Sequence, residues 1–183
     1  MVDIPAWATS MGSQRATYPT DAERIELAIA LSRENVARRE GGPFGAAVFE
    51  EQTGRLVAVG VNSVRRLANC TLHAEMMALM FAGQAASCHT LRRDDGVTHV
   101  LATSCDPCAM CLGAILWSGV RRVICAATRD DAMDLGFDEG PVFDESYRYL
   151  AERDVAVQHG FHRAEARKVL DEYTALGGLV YNR

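Results

Sequence analysis

Lysine is almost absent from this chain. Of its 19 basic residues only Lys168 is a lysine, against 24 acidic residues and a formal net charge of −5. No sustained basic run occurs, which argues against a large electrostatic footprint for nucleic acid. Long apolar runs are absent too, so no stretch reads as a membrane span. Residues 1–13 lack a basic region followed by an apolar one, and no secretory leader is expected. No repeat or low-complexity segment breaks the sequence. The six cysteines (70, 88, 105, 108, 111 and 125) lack the pattern of a disulfide scaffold, which fits a reducing cytoplasm. What remains is a chain of 183 residues, 49% hydrophobic and 23% charged, suited to a single domain with one buried core and some decoration.

The stretch richest in chemistry is Thr103-Ser104-Cys105-Asp106-Pro107-Cys108-Ala109-Met110-Cys111. Cys108 and Cys111 are spaced so that, on the first turn of a helix, both sulfurs point the same way. Pro107 suits the first helical position, where its missing N–H costs nothing. A helix N-terminus also favours thiolates. A lone Cys-x-x-Cys reads equally as a redox pair or half of a structural zinc site, with Cys105 as a further ligand. Upstream, His73-Ala74-Glu75 supplies an imidazole and, two residues on, a carboxylate. Two sulfurs and one imidazole leave a fourth position open, as catalytic zinc requires.

Around these residues the pattern alternates helices and strands. Residues 1–19 show little periodicity and read as a loosely held arm in which Trp7 is a packing anchor. Thr20 and Glu23 form a capping box opening a helix whose Ile25, Ala28, Ile29, Ser32 and Val36 share a face. Gly41-Gly42-Pro43-Phe44-Gly45 ends it. Strands over 46–49 and 56–62 flank a turn at 51–54. A helix over 73–86 carries Met76, Met77 and Met80, read as core filler. A strand over 97–103 leads into the cysteine turn. A helix over 107–118, a strand over 122–127, short helices over 130–135 and 144–153, an edge strand over 155–158 and a helix over 164–175 complete the chain. Taken alone, Phe44 reads as core, Asn62 as a turn residue, Trp117 as core or the wall of a pocket, and Asp138 and Glu139 as a solvated turn.

Together, His-x-Glu and Pro-Cys-x-x-Cys are the signature of zinc deaminases. The sequence resembles the cytidine-deaminase-like superfamily over roughly residues 20–183. Gly42-Pro43-Phe44-Gly45, the Asn62 strand end, Pro107 to Ile115, Trp117, Gly136-Phe137-Asp138-Glu139 and Tyr181 bring it nearer the guanine deaminase branch. That resemblance implies a three-layer α/β/α sandwich around a five-stranded mixed sheet. It implies one Zn2+ held by His73, Cys108 and Cys111, with Glu75 as proton shuttle. Phe44 would stack on a nucleobase, Asn62 and the Ala74 backbone would bond it, and Trp117 and Tyr181 would line its pocket. Glu139, where many relatives have Asp, would meet its polar edge or the departing amine. A C-terminal tail of about residues 177–183 would close the site, in some relatives on a partner subunit, which implies a homodimer. The implied reaction is hydrolysis of guanine to xanthine and ammonia. Guanosine, cytosine or an amino-triazine such as ammeline are alternative substrates, a tRNA adenosine is a weaker one, and a silent zinc module is the non-enzymatic alternative.

Overall fold

The computed structural model describes residues 2–182; Met1 and Arg183, the outermost residues of the arm and the tail, lie outside them. In chain order the elements are α1 (Ala6–Gly12), α2 (Asp21–Ala37), β1 (Gly45–Glu50), β2 (Leu56–Val61), α3 (Ala74–Ala85), β3 (His99–Cys105), α4 (Ala109–Ser118), β4 (Arg122–Ala127), α5 (Arg129–Met133), α6 (Asp144–Ala151), β5 (Ala156–Gln158) and α7 (Arg163–Ala175). The strands form one mixed sheet in the order β2-β1-β3-β4-β5. β1 runs antiparallel to both β2 and β3, while β3, β4 and β5 are parallel.

Side chains on a strand alternate between faces, and this sheet is covered on both. Ala47 and Phe49 of β1, Val100 and Ala102 of β3 and Ile124 and Ala126 of β4 pack with Ile25, Ala28, Leu31 and Leu170 of α2 and α7. Their strand neighbours Ala46, Val48, Leu101, Val123 and Cys125 pack instead with Ala74, Ala78, Ala82, Leu112 and Ile115 of α3 and α4. The result is the expected α/β/α sandwich. β3 and β4 are buried throughout apart from Arg122, as central strands of a doubly covered sheet must be.

The capping box at Thr20 is present: its side chain accepts from the Glu23 N–H, and the Glu23 carboxylate accepts from the Thr20 N–H. The first 19 residues differ from the expectation of a loosely held arm. They contain α1, which packs on β2. Small residues one turn apart, Ala8 and Gly12, let it lie close; a Cβ at Gly12 would meet Leu56 at 2.6 Å and Val59 at 2.8 Å. Trp7 anchors this segment by donating its indole N–H to Glu40. His99 is buried, with Nδ1 at 3.1 Å from the Leu91 carbonyl. Of the α3 methionines only Met77 is fully buried; Met80 reaches the surface. No helix among the described residues is long and apolar enough to cross a membrane.

Candidate active site

The parallel strand β3 ends where α3 and α4 begin, so the N-termini of two helices meet at the C-terminal end of the sheet, the usual place for a site in such folds. His73 is the N-cap residue of α3 and Cys108 the N-cap residue of α4, both in extended conformation. This differs from the sequence expectation, which set Pro107 and Cys108 inside the helix. Pro107 stands one residue before the cap, and its fixed φ serves the extended approach equally well. Cys111 then falls in the first turn of α4 and faces Cys108.

Three donors converge here. His73 Nδ1 is 3.5 Å from Cys108 Sγ and 3.7 Å from Cys111 Sγ. Around a tetrahedral zinc with Zn–N about 2.05 Å and Zn–S about 2.3 Å, such an N···S edge measures about 3.5 Å. The donor set and its spacing therefore fit zinc, with a fourth position left for water. The Cys108 thiol is drawn down to about 4, first by a hydrogen bond from Cys111 and then by His73, against the opposing effect of burial. Cys111 is raised by that same bond to Cys108 and by burial. Burial alone would lower the His73 pKa, but its bond to Cys108 and the nearby negative charges raise it.

Two buried carboxyls share this neighbourhood. Glu75, on the first turn of α3, is 5% exposed, and burial followed by the Cys108 charge raises its pKa. Its Oε1 accepts from the Thr103 hydroxyl at 3.2 Å. Glu139 is 6% exposed and is pushed up to about 8, mainly by burial, then by the charges of Cys108 and Glu75. It is buried in a loop, where the sequence alone reads as a solvated turn. Gly136 and Gly140 bracket it with φ of 92° and 68°, values that favour glycine. The Glu139 carbonyl accepts the first N–H of α4 at 3.0 Å, tying the acid to the helix that carries both cysteines.

Asn62, at the end of β2, is 1% exposed and fixed from several sides. Its Oδ1 accepts from the Gly42 N–H at 3.2 Å, its backbone N–H donates to Phe44, and its carbonyl accepts from Asn35. Its Nδ2 donates to the Tyr181 hydroxyl at 2.6 Å. A Cβ at Gly42 would lie 2.8 Å from that hydroxyl, so glycine is what lets the tail come this close. Tyr181 crosses the His73 ring edge-on at a centroid distance of 6.2 Å. Phe137 links Phe44 (5.1 Å) to Tyr181 (5.4 Å). The tail is clipped down by two hydrogen bonds, one from the Asp138 N–H to the Asn182 carbonyl and one from the Asn182 side-chain Nδ2 to the Asp138 carbonyl. It lies over the site of its own chain.

Phe44, Asn62, His73, Ala74, Glu75, Cys108, Cys111, Glu139 and Tyr181 are thus brought to one place, Ala74 as the fully buried first residue of α3. Trp117 is not. It is 77% exposed and lines surface depressions with Met80 on one side and Tyr149 on the other. Six residues beyond Cys111, it is turned about 240° around the helix from that ligand. Sequence reasoning missed Thr103 and Phe137 as members of the site. Thr103 offered one signal, its place on the strand running into the cysteine turn.

The model of the cytidine and deoxycytidylate deaminase zinc-binding region matches residues 19–127. A guanine deaminase from Bacillus subtilis (strain 168) is 37% identical over 131 residues, 72% of this chain and 80% of that protein. The solved structure of a guanine deaminase from Nitrosomonas europaea is 36% identical, with a TM-score of 0.91 over 96% of each chain. A relative crystallised with 2,6-diaminopurine is 37% identical, with a TM-score of 0.92 over 100% of this chain and 96% of the other.

Proposed function

This chain belongs to the cytidine and deoxycytidylate deaminase zinc-binding family, and from that premise we propose that it hydrolyses guanine to xanthine and ammonia. The observation that carries the reading is the convergence of two buried carboxyls, Glu75 and Glu139, on the His73, Cys108 and Cys111 donors, under a cover of Asn62, Phe44 and Tyr181. Both guanine deaminases quoted above support the choice of base.

His73, Cys108 and Cys111 would hold zinc, and zinc bound there would supply a water whose pKa falls toward neutrality. Glu75 takes that water's proton and passes it to a ring nitrogen of the purine. The water oxygen bonds to C2, which becomes tetrahedral. Glu75 then takes the remaining proton from the C2 hydroxyl and gives it to the amino group, the C2–N bond breaks, and ammonia leaves with C2 as a carbonyl. The raised pKa of Glu75 suits this double duty, since a shuttle must both accept and return a proton. Thr103 fixes the carboxyl's orientation through Oε1. Glu139, holding its proton to about 8, donates to the base's polar edge or the departing amine. Its extra methylene relative to Asp sets that reach. Asn62 and the Ala74 N–H bond the base, and Phe44 stacks on it. Tyr181 with the tail from residue 177 onward acts as a lid that excludes water.

The same reading includes a homodimer in a reducing cytoplasm, where the free cysteines would be kept reduced. Met80, Trp117 and Tyr149 are large apolar groups exposed along the α3–α4–α6 side and form the contact face with a second copy. Light scattering on Trp117→Glu tests this: a dimer that falls to a monomer supports it, and a wild-type monomer refutes it. The activity is tested by following xanthine formation from guanine with zinc-loaded protein, using Glu75→Gln as the blank. Turnover in the wild type alone supports the reading; none in either refutes it.

A further inference from the structure

Behind the cysteine turn lies a second convergence of metal-ligating side chains, with no part in the chemistry above. Asp106 precedes Pro107, Cys125 lies in β4, and His159 follows β5. Their carboxylate oxygen, thiol sulfur and ring nitrogen lie within 4.8 Å of one another. We propose that Asp106, Cys125 and His159 form a second binding site for a soft divalent cation of the zinc type, separate from the His73, Cys108 and Cys111 centre.

The donor chemistry selects the ion. A thiolate with an imidazole suits zinc or cobalt(II), whereas magnesium and calcium want oxygen alone. Three protein donors leave a position for water or a small anion. Asp106 is held by hydrogen bonds, as a ligating carboxylate usually is. Asp106 Oδ2 accepts the Arg129 N–H at 3.2 Å, and the Asp106 N–H donates to the Ala127 carbonyl at 2.9 Å. The His159 ring stands edge-on to Tyr147 at a centroid distance of 4.7 Å. An entry path exists on one side: Asp106 and Cys125 are buried, whereas the His159 side chain is 40% exposed.

His159 Nδ1 and Asp106 Oδ1 are joined at 2.8 Å. Binding replaces that contact. With the ring neutral, the imidazole proton moves to Nε2, and the thiol proton of Cys125 goes to solvent. Burial, with the charge of Asp106, holds the Cys125 thiol well above its usual range. A high thiol pKa therefore lowers affinity without excluding a ligand.

The test counts metal in the full chain. Protein dialysed against micromolar excess zinc is analysed by atomic emission, beside His159→Gln, Cys125→Ser and Glu75→Gln. Two zinc ions per chain are expected in the wild type and in Glu75→Gln, and one in His159→Gln and Cys125→Ser. His159 is partly exposed, so its variant keeps the fold even where the buried serine does not. Cobalt(II) added to protein already holding one zinc should give a thiolate-to-cobalt absorption band that His159→Gln weakens. Saturation of the wild type at one zinc overturns the proposal and leaves the triad a hydrogen-bonded cluster. A second equivalent that survives in His159→Gln overturns it too, as adventitious surface binding.

Discussion

Replacing Thr103 with valine removes one atom's worth of chemistry and almost no volume. The hydroxyl donates to Glu75 Oε1 at 3.2 Å inside a buried site, with Thr103 itself 1% exposed. Hydrogen bonds to charged groups contribute about 1.5–3 kcal/mol, and the length of this one places it at the lower end. The carboxyl must hold one orientation while a proton passes from water to the purine and then to the amine. A loss of about 1.5 kcal/mol from that step lowers kcat about tenfold, since each 1.36 kcal/mol is a factor of ten. KM for guanine should change less, because Thr103 hydroxyl contacts Glu75 and not the base. The assay is steady-state ammonia release, with zinc content and Tm recorded for each variant. Thr103→Ser keeps the hydroxyl and should recover most of the rate. A Thr103→Val enzyme with kcat within twofold of wild type, zinc intact, refutes the positioning argument.

Other outcomes follow from the same geometry. Glu75→Gln should retain zinc and lose about 10²–10⁴-fold in turnover, the span that positioned proton transfer usually supplies; a loss below tenfold with zinc bound removes Glu75 from its role. Tyr181→Phe deletes the acceptor of the Asn62 Nδ2 hydrogen bond, worth about 0.5–1.5 kcal/mol, and should raise KM for guanine up to about tenfold. Steady-state kinetics read this directly, and an unchanged KM argues against the tail as a lid. Stripping zinc with a chelator should abolish turnover, and added zinc should restore it. Asp131 tests the fold rather than the site. Hydrogen bonds from Arg163 hold its carboxyl well below the usual range, against burial, with Thr128 and Arg167 adding to them. A depressed folded pKa gives stability that is present above the unfolded value near ~3.9 and is lost as pH falls through the folded value. Asp131→Asn should cost about 2–3 kcal/mol at pH 7 by urea unfolding, with the gap to wild type shrinking below about pH 4.

Much of this structure could be read from local patterns. The Thr20–Glu23 capping box fixed a helix start because its partners lie three residues apart. The strands β3 and β4 were legible from short apolar stretches, Val100 to Ala102 and Val123 to Ala127, between turns. The metal donors were legible because residue type and spacing carry the chemistry, whatever the surrounding fold. Long-range features were not. The side of α4 on which Trp117 lies depends on how the helix docks, and Cys111, not Trp117, sets that. Helix α1 is short and weakly periodic; what holds it is the close approach of Gly12 to β2, a contact across more than 40 residues of chain. Thr103 looks like an ordinary strand residue until α3 is laid beside β3. The Asp106, Cys125 and His159 cluster joins three separate segments, and neither local spacing nor periodicity could gather it.

The most direct measurement is ammonia release from zinc-loaded protein with guanine, guanosine, adenine, cytosine and ammeline side by side, each blanked with Glu75→Gln. The account predicts guanine as by far the best substrate and no release in the blank. Poor turnover of guanine beside rapid turnover of a nucleoside or triazine would contradict the assignment of substrate, and would place the error in Asn62, Glu139 and Tyr181 while leaving the zinc chemistry standing.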